Sequence, residues 1–120
     1  MVPRFFDGTL PDFTLGTADG ASCDPALAQQ LLGIAQASPV DSAVLNGRFK
    51  GGHITRHYGQ PVQGVHAIQL EMAQCNYMQE ALPFDYLPAL AQRVQPTVQT
   101  LLEAVLAFAE RPRACAPALP

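Results

Sequence analysis

Apolar residues recur at helical spacing in the first third of the chain. Leu27–Ile34 carries a stripe at intervals of three and four residues, which is the repeat of one helix face. Asp24-Pro25 precedes the stripe and is typical of a helix start, because Asp caps the first amides and proline fits the first turn. Ser38-Pro39 follows it, and the residue before a proline avoids helical geometry. The pattern therefore predicts a helix from Pro25 through Ala37.

A second apolar stripe lies near the C-terminus. Val98–Phe108 predicts an amphipathic helix over Thr97–Ala109. A helical stretch is also predicted before Thr97. Asp85 is the candidate for its N-cap, and Pro88 is tolerated in its first turn. Pro96 lacks the N–H that a helix interior requires, so we expect it to kink or split this helix.

Two short apolar runs between these helices are candidate strands. Ser42–Leu45 leads directly to Asn46, and polar residues at the C-terminal end of a strand are typical sites in α/β folds. Val65–Leu70 is the second run. In extended geometry the odd-numbered residues of 65–71 share one face and the even-numbered residues share the other. A helix over 65–78 stays open as the alternative, because periodicity alone does not separate the two.

Two other segments show neither period. Met1–Cys23 is rich in Gly, Pro, Asp and Thr and is predicted to be an extended loop. Glycines at Gly51-Gly52, Gly59 and Gly64 interrupt the middle of the chain, so we expect its basic residues to lie on loops or one short turn. The elements together predict an α/β fold.

Composition narrows the class of protein. A chain of 120 residues that is 48% hydrophobic suits one domain, predicted over residues 1–110, with a disordered tail at 111–120. Only 14% of residues are charged, which favours a surface partly covered by a partner. The net charge of −3 argues against nucleic acid as a ligand, since phosphate binding needs a broad basic face.

Cysteine usage and the lack of long apolar runs give the expected location. The three cysteines have no C-x-x-C spacing, which predicts reduced thiols in a cytoplasmic protein. The N-terminus has no apolar core of signal-peptide length. No run approaches the ~20 apolar residues of a membrane span. We therefore expect no membrane partner.

The few charges are unevenly placed. Residues 42–70 hold three basic side chains and no Asp or Glu, a formal charge of +3, while the rest of the chain carries −6. All three histidines lie in the same stretch. Cationic side chains among glycines favour a pocket for a small anion. Glu71 follows directly and is a candidate base.

Three motifs, in this order, carry a resemblance to a known family. They are FFDGTLPDFTLGT at Phe5–Thr17, NGRFKGGHITRHYG at Asn46–Gly59 and VHAIQLEM at Val65–Met72. Together they resemble the N-formylglutamate amidohydrolases, also called N-formylglutamate deformylases. The resemblance implies a partial zinc-carboxypeptidase-like (phosphorylase/hydrolase-like) sheet with flanking helices. It also implies hydrolysis of N-formyl-L-glutamate to L-glutamate and formate, a step of histidine degradation.

The same resemblance predicts that this chain lacks the zinc ligands of the family. The family's catalytic domain is longer, and its zinc ligands are expected N-terminal to Met1. We therefore interpret the chain as the C-terminal portion of the domain, with zinc expected for the complete enzyme but no ligands here. The missing N-terminal half, or self-association, is the expected protein partner. A non-catalytic anion-binding or interaction module derived from the family is the alternative.

The three histidines are also candidate ligands of a local metal site. His53 and His57 have the spacing of a helical metal pair, and His66 is a candidate third ligand. The glutamate of an H-E-x-x-H motif is absent, and the flanking glycines argue against a helix. We expect His53 and His57 to orient or contact the substrate, and His66 to be a hydrogen-bonded core histidine.

The remaining roles concern the two carboxylates of the substrate and the proton transfer. Arg48 is a candidate for a two-pronged contact with one carboxylate, with Asn46 as a neutral donor beside it. Arg56 and His57 are candidates for the second carboxylate. A solvated surface Arg48 beside a turn Asn46 is the alternative for the first pair. For the second pair, the alternative is that His57 bonds a backbone carbonyl and Arg56 an acidic surface partner. Glu71 resembles the glutamate that removes a proton from water in zinc peptidase-like hydrolases. Cys75, in an apolar context, is predicted to be a core residue.

Overall fold

The computed structural model describes residues 8–38 and 42–112, and these form a small α/β fold. Its strands form a mixed sheet in the order β2-β1-β3. The strands are β1 (Phe13–Gly16), β2 (Ala43–Leu45) and β3 (Gln69–Met72), and the helices are α1 (Pro25–Gln36), α2 (His53–Tyr58) and α3 (Pro88–Ala109). Short 3-10 turns occupy Pro61–Gln63 and Gln74–Asn76. The tail predicted to be disordered lies outside the described residues from 113 onward.

The central strand of the sheet, β1, lies where the sequence predicted a loop. It pairs in parallel with β2 and antiparallel with β3, and all four of its residues are buried. A strand covered on both faces shows no polar–apolar alternation, and four residues are too few to show a period. The loop prediction for Met1–Cys23 is therefore wrong at this strand.

Helix α1 confirms its predicted start. The Asp24 Oδ1 accepts a hydrogen bond from the Ala26 amide at 2.8 Å, and Pro25 is the first helical residue. The stripe faces inward, with Leu27 and Leu31 both buried. The cap therefore marks where this helix starts, and burial of the stripe against the rest of the fold supplies most of its stability.

Helix α3 is one continuous helix, which excludes the predicted split at Pro96 and corrects the predicted cap. It runs through Pro96 without splitting, and Leu87 rather than Asp85 occupies its N-cap position. The missing N–H of Pro96 deprives the Gln92 carbonyl of its partner. Both residues lie on the exposed face, where water can replace that bond. Among the described residues, no helix combines the length and the apolar character needed to cross a membrane.

Two apolar clusters join the sheet to α1 and α3. In the first, Leu15 of β1 packs with Leu27 and Leu31 of α1 and with Leu101 of α3. In the second, Phe13 packs with Ala35 and Val94. At the same layer the Thr97 hydroxyl donates to the Ser38 hydroxyl at 2.9 Å. The layer of α1, β1 and α3 is therefore the packed core of the chain.

Strand β3 settles the alternative left open for residues 65–78 in favour of the strand. It starts at Gln69, later than the predicted Val65, because the preceding residues pair elsewhere. Val65 forms an isolated bridge with Gln60. Ala67 exchanges backbone and hydroxyl bonds with Ser22.

Candidate active site

The segment between β2 and β3 carries most of the predicted site residues. We call Asn46–Gly64 the basic segment. Of its side chains, only that of Thr55 is buried. Because burial contributes little here, the position of this segment must be set by hydrogen bonds and by backbone shape.

Asn46 joins the start of the basic segment to the end of β1. Its Oδ1 accepts from the amides of Thr17 at 2.8 Å and Asp19 at 3.4 Å, and its Nδ2 donates to the Thr17 hydroxyl at 2.8 Å. Asn46 has a φ of 51°, a left-handed conformation that Asn tolerates better than most residues. The sequence predicted a substrate contact for Asn46, and the structure gives it a role in joining two loops.

A glycine of β1 lets the basic segment approach the sheet closely. A Cβ at Gly16 would lie 2.6 Å from the Gly51 nitrogen and 2.7 Å from the Lys50 carbonyl carbon. The Ala18 amide donates to the Lys50 carbonyl at 2.7 Å. Only a residue without a side chain at position 16 allows this contact. The turn before α2 is therefore held against the end of β1.

Helix α2 forms where the glycines argued against a helix, and that prediction is wrong. Gly52 and Gly59 lie at its two caps rather than inside it, where glycine carries little cost. The rings of His53 and His57 are stacked with centroids 4.9 Å apart. The Arg56 Nη2 donates to the Gly51 carbonyl at 3.1 Å. The short helix thus gathers three of the predicted substrate-binding side chains.

Glu71 is linked to the start of α2 through a residue that sequence reasoning did not single out. The Gly52 amide donates to the Gln69 Oε1 at 3.1 Å, and the Gln69 Nε2 donates to the Glu71 Oε1 at 2.9 Å. Gln69 and Glu71 lie two residues apart on β3, which confirms that they share a face. The period-two pattern of the strand was the signal for Gln69, since it places that side chain beside the candidate base.

Glu71 also borders a shallow depression of about 160 Å³. Its wall contains Leu10, Pro11, Thr14, Phe49 and Ala73 in addition to Glu71. Most of this space is open to solvent, and about 0 Å³ of it is enclosed, whereas pockets for small ligands enclose about 300–1,000 Å³. The described residues therefore form one side of a binding site rather than a closed pocket.

The predicted site residues separate into two groups. Arg56, His53 and His57 lie on α2, which Gln69 connects to Glu71. Arg48 is exposed and is absent from the wall of the depression, although its neighbour Phe49 is part of it. The structure therefore does not bring Arg48 and Glu71 into one cavity.

The thiols and the third histidine lie away from this site. Cys75 is exposed, so its predicted core position is wrong. Burial, with the Asp24 charge nearby, raises the pKa of Cys23 to about 11, which keeps this thiol protonated and unreactive. The His66 Nδ1 accepts from the Asp24 amide at 3.0 Å, and its ring meets Phe108 edge-on. His66 is thus hydrogen-bonded, as the sequence predicted, but it is half-buried rather than a core residue.

The donor groups among the described residues decide whether this part of the chain fits a metal ion. Within residues 8–38 and 42–112, no three His, Cys, Asp or Glu side chains come together as a metal site would require. A zinc site needs three or four such ligands. The described residues therefore do not fit a zinc ion by themselves.

Taken together, the fold and the surroundings of Glu71 define a small α/β domain with one carboxylate beside a cationic helix. Residues 1–78 match the model of the N-formylglutamate amidohydrolase family. The chain belongs to this family.

Two relatives share high identity with the chain. It is 61% identical over 107 residues to an N-formylglutamate deformylase of Pseudomonas aeruginosa, an alignment that covers 89% of this chain and 40% of the relative. It is 58% identical over 111 residues to an N-formylglutamate deformylase of Pseudomonas putida, with coverage of 92% and 42%. The chain therefore spans about two-fifths of the length of the relatives it matches.

A solved structure shares the fold. The crystal structure of an N-formylglutamate amidohydrolase from Ralstonia eutropha JMP134 superposes with a TM-score of 0.69 and 24% identity. The match covers 84% of this chain and 36% of that one. This likeness supports the α/β architecture described above.

Proposed function

We propose that this chain supplies the base and part of the substrate-binding surface for hydrolysis of N-formyl-L-glutamate to L-glutamate and formate. The observation that carries the proposal is the hydrogen-bonded connection from Glu71 through Gln69 to the start of α2. It places a carboxylate and a cationic helix in one structural unit. The names of the close Pseudomonas relatives support the choice of substrate.

Glu71 is proposed to be the general base. It accepts a proton from the water that attacks the formyl carbon, and then delivers that proton to the amine of the leaving glutamate. Glu71 is half-buried beside an apolar wall that includes Phe49. A partly dry setting suits a carboxylate that must exchange a proton with a single water.

The cationic side chains of α2 are proposed to bind the substrate carboxylates. Arg56 uses one donor on the Gly51 carbonyl, and a guanidinium has five N–H donors in all. His57 lies one residue further on, and His53 stacks on it. Arg48, which is exposed and precedes Phe49 in the chain, is proposed to bind the second carboxylate when the rest of the site covers this face.

The zinc expected from the family is proposed to be held by residues outside this chain. The described part of the chain offers no cluster of ligands for it, so the chemistry proposed here is limited to the chain's own side chains. In this interpretation the chain is the C-terminal portion of a zinc-carboxypeptidase-like domain. The coverage of about two-fifths of each relative supports only the part of this proposal that makes the chain one portion of a longer domain.

The test is a deformylase assay on the full chain, with bound metal measured in parallel. The chain is assayed alone and after mixing with the portion of the Pseudomonas aeruginosa relative that it does not match. We expect metal and activity only in the mixture. Metal bound stoichiometrically by the chain alone would show that the ligands have been placed wrongly.

The role of Glu71 as the base is tested in the sample, the chain alone or the mixture, that shows deformylase activity. Glu71→Gln keeps the shape of the side chain but removes the base, so we expect kcat to fall about 100- to 10,000-fold. Glu80→Gln is the matched control, because Glu80 is exposed and is not part of the wall of the depression. Equal activity of Glu71→Gln and the parent chain would exclude Glu71 as the base.

An anion-binding module is the second candidate, and the exposed cationic side chains of Arg48 and Arg56 favour it. The depression beside Glu71 encloses almost no space, which suits weak binding of a ligand. Calorimetry with N-formyl-L-glutamate separates the two. Binding that depends on Arg56, with no turnover in any mixture, would support the module over the enzyme.

A further inference from the structure

We propose that Gln69 is a positioning residue that fixes the Glu71 carboxylate and the start of α2 relative to each other. The consequence for catalysis rests on the proposed function, whereas the positioning itself is a property of this chain. The inference draws on the two hydrogen bonds of Gln69 and on the register of the sheet.

Only one orientation of the Gln69 amide satisfies both of its neighbours. The Gly52 N–H can only donate, so it requires the amide oxygen, and an ionised Glu71 can only accept, so it requires the amide nitrogen. The distances are 3.1 Å and 2.9 Å in that orientation. The reversed amide would set donor against donor and oxygen against oxygen. The side chain is therefore held at both ends.

The register of β1 and β3 explains why the turn before α2 reaches Gln69. Gly16 lies directly opposite Gln69 in the antiparallel pair, and opposite residues project to the same face of a sheet. The missing side chain of Gly16 leaves the space that the Gly51 backbone fills. The turn therefore lies over Gln69 and presents the Gly52 amide to it.

The same turn carries the cationic helix. Arg56 donates to the Gly51 carbonyl, and the Thr55 hydroxyl donates to the Gly52 carbonyl at 2.8 Å. A displacement of this turn would move α2 together with its cations. Gln69 thus sets the spacing between the proposed base and the proposed carboxylate-binding residues.

Two substitutions at Gln69 test its two hydrogen bonds separately. Gln69→Met has nearly the same shape and loses both. Gln69→Glu keeps an acceptor for the Gly52 amide but, when ionised, loses the donor to Glu71. Gln29→Met is the matched control, since Gln29 is an exposed residue of α1 remote from the site.

The first measurement needs no activity and uses the full chain. Amide hydrogen exchange at Gly52 is expected to accelerate about fivefold in Gln69→Met, because one hydrogen bond of ordinary strength is lost. It should stay within about twofold in Gln69→Glu and in the control. The carboxyl-carbon NMR resonance of Glu71 should shift at pH 8 in both Gln69 variants but not in Gln29→Met. Unchanged exchange in Gln69→Met or an unmoved Glu71 resonance would overturn the proposal, even if the enzyme proves active.

The second measurement applies to the active preparation. We expect kcat to fall about tenfold in both Gln69 variants at pH 8, because the carboxylate loses one of the interactions that orient it. Lowering the pH should restore Gln69→Glu relative to the parent, since a protonated Glu at position 69 donates again, and should not restore Gln69→Met. A parallel pH response of the two variants would contradict positioning of Glu71. Failure of the assay for every form, with the NMR effects intact, would refute the proposed function and leave the positioning standing.

Discussion

The packed layer of α1, β1 and α3 and the basic segment are held in place by different forces. In the layer, Phe13 and Ala35 are fully buried and Leu15 is 2% exposed, so the removal of apolar surface from water dominates. In the basic segment, Ile54 and Tyr58 are more than half exposed and Val62 is fully exposed. Hydrogen bonds to a few polar positions hold that segment instead.

Because of this difference, the residues that determine stability and the residues proposed to bind substrate lie in different parts of the chain. Substitutions in the packed layer are expected to lower the free energy of unfolding strongly. Substitutions in the basic segment should cost little stability, because few of its atoms leave water on folding. The proposed substrate contacts can therefore be altered without unfolding the domain, which makes the comparison testable position by position.

The largest effect is expected at Phe13, at the centre of the sheet. Phe13→Ala should lower the free energy of unfolding by about 3–5 kcal/mol, because it removes a fully buried ring and leaves a cavity. Urea denaturation measures the change. Leu102→Ala, at a side chain 65% exposed on α3, should change it by less than about 1 kcal/mol. Similar losses for the two variants would show that the layer is not the core.

The next effect tests the contact between the two regions. Gly16→Ala should cost about 1–3 kcal/mol, because its new Cβ overlaps the Gly51 backbone at 2.6 Å and backbone cannot move aside cheaply. Gly33→Ala is the control. A Cβ at Gly33 in α1 meets nothing within 4 Å, so the change should stabilise by about 0.4–1 kcal/mol.

The two glycine variants are compared by thermal or urea unfolding under identical conditions. Backbone amide shifts of Gly51 and Gly52 should move in Gly16→Ala and stay unchanged in Gly33→Ala. If Gly16→Ala were as stable as the parent, the close approach of the basic segment to β1 would be wrong.

A smaller effect is expected at Asn46, where the two regions are joined by side-chain hydrogen bonds. Asn46→Ala loses the bonds to Thr17 and Asp19 and should cost about 1–2 kcal/mol. Asn46→Gly loses the same bonds but adopts the left-handed backbone at φ 51° without strain, so it should cost less. The order of the two variants in urea unfolding checks this. If Asn46→Gly were less stable than Asn46→Ala, the left-handed backbone at position 46 would not strain an alanine.

The sequence predicted the fold best where local chemistry decides the structure. The start of α1 follows from Asp24 and Pro25 alone, and its buried face follows from the stripe at Leu27 and Leu31. The shared face of Gln69 and Glu71 follows from the period of an extended chain. These features need no knowledge of distant residues.

The failures have different physical reasons, and at β1 distant contacts decided the outcome. Strand β1 exists because it is paired on both sides and buried, and none of this shows in four residues of sequence. Helix α2 forms between glycines because they lie at its caps. Asp85 does not cap α3, although its residue type suits that role.

The roles of the candidate site residues stay predictions, but the structure shows how some of them are connected. Arg56, His53 and His57 lie on α2, which Gln69 links to Glu71. Gln69 was missed because a neutral amide gives no charge signal, and its importance appears only when both of its partners are known. The roles assigned to Arg48 and Asn46 stay predictions that depend on what covers this face.

The smallest effect is expected at the ion pair that spans the two regions at the surface. Lys50 Nζ lies 3.2 Å from Asp19 Oδ2, with both side chains more than half exposed, and such pairs contribute about 0–1 kcal/mol. Lys50→Gln should therefore change the free energy of unfolding by less than about 0.5 kcal/mol in 0.15 M salt. A double-mutant cycle with Asp19→Asn isolates the pair. A coupling above about 1 kcal/mol would mean that charge, rather than the backbone bond from Ala18 to Lys50, holds the basic segment to the end of β1.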